Sequence, residues 1–101
     1  MQQQHRTSVR LETDKSEYIL PESVTVTVFM SANQQPMANE QVKVFIFEPN
    51  GKRLFRTLVI TDRDGIATAV FRLQKKHAVG SYSVEVQTSD NTMSLTSFLA
   101  F

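Results

Sequence analysis

Residues 61–86 read T-D-R-D-G-I-A-T-A-V-F-R-L-Q-K-K-H-A-V-G-S-Y-S-V-E-V. The segment T-D-R-D-G predicts a sharp turn that opens straight into a strand, I-A-T-A-V-F-R-L. On that strand Ala67, Ala69, Phe71 and Leu73 share one face. Lys75, Lys76 and His77 then read as a solvated hairpin tip. Gly80 opens a second strand, S-Y-S-V-E-V, with Tyr82, Val84 and Val86 on one face. Period-two alternation with a glycine leading into each strand is the pattern of antiparallel strands over a one-sided core. It speaks to fold, and it names no reaction.

Working outward, the same alternation recurs. Thr7, Val9, Leu11 and Thr13 alternate with Ser8, Arg10, Glu12 and Asp14, predicting a first strand of modest hydrophobicity, suited to a sheet edge. D-K-S-E-Y-I-L-P-E-S crosses to the next strand, and Pro21, which cannot donate to a ladder, belongs in that connection. In S-V-T-V-T-V-F-M-S, Val24, Val26, Val28 and Met30 share a face. After the polar loop A-N-Q-Q-P-M-A-N-E, Val42, Val44 and Ile46 do the same. P-N-G-K is a turn. In R-L-F-R-T-L-V-I-T apolar residues fall on both faces, so no inner face is assigned. M-S-L-T-S-F-L-A-F is the last strand. No helical periodicity occurs. Seven strands over residues 7–101 predict an all-β, seven-stranded antiparallel immunoglobulin-like sandwich, and residues 1–6 are expected to be a disordered tail or an added remnant.

Composition sets further limits. The chain has 101 residues, room for one domain, and a domain of that size buries roughly 65% of the surface its unfolded chain exposes. With no cysteine there is no disulfide framework, thiol catalysis or cysteine-built zinc site. Eleven Lys and Arg face ten Asp and Glu, interspersed, for a formal charge of +1. A nucleic-acid partner is not expected, because binders of polyanions concentrate their cations. No apolar run approaches the roughly 18 residues of a membrane span, so no membrane insertion is expected. The N-terminus lacks the apolar centre of a signal peptide. The apolar ending S-L-T-S-F-L-A-F is expected to mark a module boundary within a longer secreted chain.

The turn and strand elements together resemble a known pattern: T-D-K-S-E-Y at 13–18, E-S-V at 22–24, and Pro36 before V-K-V-F-I-F-E-P-N-G at 42–51. It continues with T-D-R-D-G-I-A at 61–67, then F-R-L and G-S-Y-S-V-E-V. This resembles the macroglobulin domains of the α2-macroglobulin and complement family, the second such domain (MG2) most closely. Where the family usually carries D-K-P-x-Y-x-P-G-E, this chain has D-K-S-E-Y-I-L-P-E, which suggests a distant, bacterial-type relative. The resemblance implies a non-catalytic scaffold domain within a larger extracellular, periplasmic or cell-surface protein, with neighbouring domains or another protein as partners. The family's thioester needs a cysteine, which this chain lacks. An adhesive, invasin-type module or an accessory domain of a secreted carbohydrate-active enzyme are the alternatives; the absence of tryptophan weighs against the second.

Candidate chemistry is sparse. Asp62 and Asp64 before Gly65 are a fragment of a calcium loop without its remaining oxygen ligands, and a turn satisfying its own backbone is the simpler reading. His5 and His77 have no acidic or histidine partner nearby in sequence. No catalytic residue, metal or other cofactor is expected. Tyr18 is expected to close one end of the sandwich with its hydroxyl at the surface. Phe29, Phe45 and Phe47 stand opposite the valine faces. Together they are expected to form an outward apolar interaction patch, capable of weak self-association.

Overall fold

The computed structural model describes residues 7–101, so the expected disordered tail over residues 1–6, with His5, lies outside the described residues. The elements in chain order are β1 (Thr7–Thr13), β2 (Glu17–Tyr18), β3 (Glu22–Ala32), β4 (Gln35–Pro36), β5 (Gln41–Phe47), β6 (Arg53–Ile60), β7 (Ile66–Leu73), β8 (Gly80–Thr88) and β9 (Met93–Ala100). Two sheets face each other. In the first, β3 is the spine: β1 pairs along one side, and β7 and then the short β4 pair along the other, all antiparallel. The second runs β2-β9-β8-β5-β6.

The sandwich is immunoglobulin-like, and the seven expected strands are its seven long ones. The count is nine, because two-residue strands lie inside both segments read as connections. Two residues are too few for a period to register. β4 completes a hairpin with β3 through Asn33 and Gln34, both at positive φ, the geometry of a two-residue hairpin turn. β2 pairs parallel to β9, so the second sheet is not wholly antiparallel.

A second correction concerns the basic tip. β7 pairs with β3, whereas β8 pairs with β5 and β9. Lys75, Lys76 and His77 therefore sit on a connection that crosses from one sheet to the other, not on a hairpin. Alternation reports which face of a strand is buried, and both strands bury a face against the same core whichever sheet they join.

The core is the set of residues that the alternation marks. Val24, Val26, Val28 and Met30 of β3 meet Val42, Val44 and Ile46 of β5, and Tyr82, Val84 and Val86 of β8; all are buried. Ala67, Ala69 and Leu73 complete the β7 face. Alternation groups Phe71 with them, but it is only partly buried. It lies on β7 at the sheet edge and packs on Phe55, with ring centroids 4.8 Å apart. Its truncation therefore falls short of a core cavity. The inner face of β6 becomes assignable from register: Phe55, Thr57 and Val59 pair with Ile46, Val44 and Val42. A bulge between Ile46 and Phe47 leaves Leu54 as the extra residue, packed on the core. The insertion accounts for Leu54 alone; the strand reads as apolar on both faces because Leu58 and Ile60 stand on its outer face opposite Phe55 and Val59 on the inner one.

Gly65 shows why the opening turn needs glycine. Its φ is +74°, and a Cβ built there would lie 2.3 Å from the Met30 carbonyl oxygen. The Gly65 carbonyl in turn accepts the Met30 amide at 2.8 Å. Gly51, in the β5–β6 hairpin, has φ +87° but open space around it. Gly51→Ala should cost about 1 kcal/mol, the left-handed penalty alone. Gly65→Ala should cost at least about 3 kcal/mol, because backbone must also shift. Denaturant melts of the two variants decide it: equal losses would show that the close approach at Met30 is absent.

Candidate functional site

Tyr18 is more deeply placed than a surface hydroxyl. Its ring is wholly buried and meets Phe98 edge-on at 5.1 Å, and Phe98 stacks on Tyr82, also at 5.1 Å. Its hydroxyl donates to Asp14 Oδ1 at 2.5 Å and accepts the Lys15 amide at 3.0 Å. Asp14 Oδ1 also accepts the Thr25 amide at 2.9 Å. Burial, then the hydrogen bond to Asp14, pushes the Tyr18 phenol up to about 12. Desolvation works to raise the Asp14 carboxyl, but the bonds from Tyr18 and Thr25 outweigh it and hold the group below its usual range. The D-K-S-E-Y stretch is thus a structural clasp.

The T-D-R-D-G turn satisfies itself. Asp62 Oδ1 accepts the amides of Asp64 at 2.8 Å and Ile66 at 3.0 Å, and the Asp62 carbonyl accepts the Gly65 amide at 3.0 Å. Asp64 is exposed, and among the described residues no three His, Cys, Asp or Glu side chains come together as a ligand set. His77 Nδ1 accepts the Gln74 amide at 2.7 Å, capping its own turn beside Phe71. Asp90 is a residue that sequence reasoning misses. One oxygen accepts the Thr7 hydroxyl at 2.6 Å and the other accepts Thr88 and the Thr92 amide, so it ties β1 to the β8–β9 turn. These bonds, that from Thr7 foremost, lower its pKa. Asp-Asn in a loop is too common a pairing to mark it.

Phe29, Phe45 and Phe47 all point outward, but the structure does not bring them together. Phe29 lies on the outer face of the first sheet, where the Arg10 guanidinium stands 4.2 Å from its ring centre. By register Phe29 lies between Arg10 and Ile66, and the rest of that face mixes the hydroxyls Ser23, Thr25, Thr27, Ser31 and Thr68 with Arg72 and Val70, the last 59% exposed. Phe45 and Phe47 lie on the outer face of the second sheet, 6.3 Å apart and stacked. Register sets their neighbours: Phe45 lies between Glu85 and Arg56, and Phe47 between Ser83 and Arg53. Leu58 and Ile60 of β6 continue this face and are 52% and 58% exposed, and Leu95 on β9 is 68% exposed. Sequence reasoning misses Leu58 and Ile60 because both faces of β6 carry apolar residues, so alternation marks neither face as outer.

The clasp at Tyr18 carries a pH signature. A phenol whose folded pKa is raised contributes stability that is complete below its ordinary value of 10 and is lost as pH climbs toward about 12. Thermal stability should hold to pH 10 and fall above it, with the tyrosinate absorbance of Tyr18 appearing only near 12. Tyr18→Phe should cost about 1–2 kcal/mol at neutral pH and flatten the alkaline fall. A Tyr18 that ionises near 10 in the folded protein would contradict the clasp.

Comparison with known proteins places this geometry. The model of the MG2 domain family matches residues 8–99. A search of curated proteins returns no match. Among solved structures, trypsin-activated α2-macroglobulin from Escherichia coli superposes with a TM-score of 0.83 at 17% identity, covering 93% of this chain and 6% of that chain. The native conformation of the same E. coli protein gives the same values. The CARDB domain of a Pyrococcus furiosus protein, in complex with di-metal ions, superposes at 0.60 with 11% identity, covering 96% of this chain and 89% of that one. At such identities these likenesses speak for the fold alone, and this chain spans only a small fraction of the macroglobulin chains it matches. The family match over nearly the whole sandwich is the stronger finding: the chain belongs to the MG2 domain family, a structural immunoglobulin-like module of the macroglobulins.

Proposed function

We propose that this chain is a non-catalytic module of a larger extracellular, periplasmic or cell-surface polypeptide. Its work is to pack against a neighbouring domain of that polypeptide, or against another protein, through the outer face of β5 and β6. The observation that carries this reading is the contrast between the two outer faces. The first sheet presents mainly hydroxyls along β3, with Ile66 and the exposed Val70 on β7 set apart by Thr68, and Arg10 covers its Phe29. The second presents the stacked, half-buried rings of Phe45 and Phe47 beside the exposed Leu58 and Ile60, and among the described residues no cation stands over either ring as Arg10 stands over Phe29. Contiguous apolar surface of this kind marks an interaction site.

Further observations support the setting. The solved E. coli chains that this domain resembles are far longer, since the domain covers 6% of them. Among the described residues no cluster of metal-ligating side chains occurs, and the most deeply held polar groups serve turns and the Tyr18 clasp. Among the described residues no helix is long and apolar enough to cross a membrane. The fold therefore works here as a shaped surface.

Replacing Phe45 with Thr and Phe47 with Lys should lower the isolated chain's stability by about 1 kcal/mol or less, since both rings face away from the core. In the intact parent polypeptide the same pair should release the neighbour and lower the first melting transition by several degrees. An unchanged parent melt would overturn the reading. So would collapse of the isolated chain, which would make the rings part of the core.

A further inference from the structure

We propose that the surface docked on β5 and β6 is acidic: a protein segment with apolar side chains for Phe45 and Phe47 and carboxylates around them. This rests on the reading of that face as a docking surface and adds the chemical class of its occupant. Register places Lys43, Arg53 and Arg56 on the same face as the two rings, and Lys52 borders the shallow depression that both rings line. Glu85 is the one carboxylate set among them. This leaves a strong cationic excess on one face of a molecule whose formal net charge is only +1.

These cations are unspent. Among the described residues the ion pairs are Arg10 with Glu12 and Lys15 with Glu22, both away from this face. Each of the four stands near apolar surface that a partner would cover, and covering an unpaired cation without an opposite charge is costly. A neutral apolar partner would incur that cost up to four times. An acidic one removes it and gains steering as well. Single-stranded nucleic acid, the other polymer that favours aromatic rings among cations, fits less well. The two rings pack on each other with 27° between their planes, Glu85 sits directly beside Phe45, and Leu58 and Ile60 extend the face with purely apolar groups.

The test is a nuclear magnetic resonance titration of the 101-residue chain with three probes: a peptide alternating Glu and Leu, its Lys and Leu counterpart, and oligothymidylate. The acidic peptide should shift resonances of β5 and β6 and leave the first sheet unmoved. Its affinity should fall about tenfold or more in Arg53→Glu/Arg56→Glu, and progressively as salt is raised. Arg53→Gln/Arg56→Gln should show a smaller loss in the same direction, which serves if the charge-reversed pair does not fold. Equal binding of the two peptides, shifts confined to other strands, no shift at all, or tighter oligothymidylate binding on these residues would each overturn the acidic assignment. Because these outcomes concern charge, they are separate from the parent melt, which reports whether the face is docked.

Discussion

Tyr18 holds the two sheets in their relation to each other. Its ring rests on Phe98 of the second sheet, and its hydroxyl is bound to Asp14, whose carboxylate takes the amide of Thr25 on the spine of the first. A buried phenol with a satisfied hydroxyl is worth keeping, because losing its partner leaves a polar group unpaired in apolar surroundings. The clasp also sets β2 beside β9, where the Phe101 amide donates to the Tyr18 carbonyl at 2.8 Å. With the first crossover fixed at one end, and Asp90 joining β1 to the β8–β9 turn, the valine-rich inner faces have one way to meet.

Those inner faces explain why the domain has two unlike exteriors. Strand alternation commits every second residue to the core and leaves the intervening ones to solvent or to a partner. On β3 the intervening residues are mostly Ser and Thr, with Phe29 covered by Arg10. On β5 they are Lys43, Phe45 and Phe47, and on β6 Arg56, Leu58 and Ile60. Hydroxyls cost little to leave in water; stacked phenyl rings among unpaired cations are a poorer solvent face. The same backbone pattern thus builds a β3 exterior of hydroxyls and a β5–β6 exterior of rings, aliphatic side chains and cations, the face proposed for docking.

Much of this is legible in the sequence. The inner residues of β3, β5 and β8 can be named from alternation because no insertion interrupts them. The need for glycine at position 65 is visible in T-D-R-D-G, although the contact with Met30 that enforces it is not. What escapes the sequence has physical reasons. Periodicity cannot say which sheet a strand joins, so the β7–β8 crossover reads as a hairpin. Apolar residues on both faces of β6, with one more at the Leu54 bulge, leave its inner face unmarked and hide Leu58 and Ile60. Outward position on a strand does not distinguish two outer faces, so Phe29 is grouped with rings that lie on the far side of the sandwich. The role of Tyr18 depends on Asp14 four residues away, a contact set by the crossover and not by any repeat.

Hydroxyl-radical footprinting of the intact parent polypeptide against the isolated 101-residue chain tests the docking claim most directly. Phe45, Phe47, Leu58 and Ile60 should be oxidised readily in the isolated chain and protected in the parent, while Val70, exposed on β7 of the other sheet, should react alike in both. Equal oxidation of all five residues in the two forms would contradict the account, leaving the β5–β6 face open to solvent and the domain without the contact proposed for it.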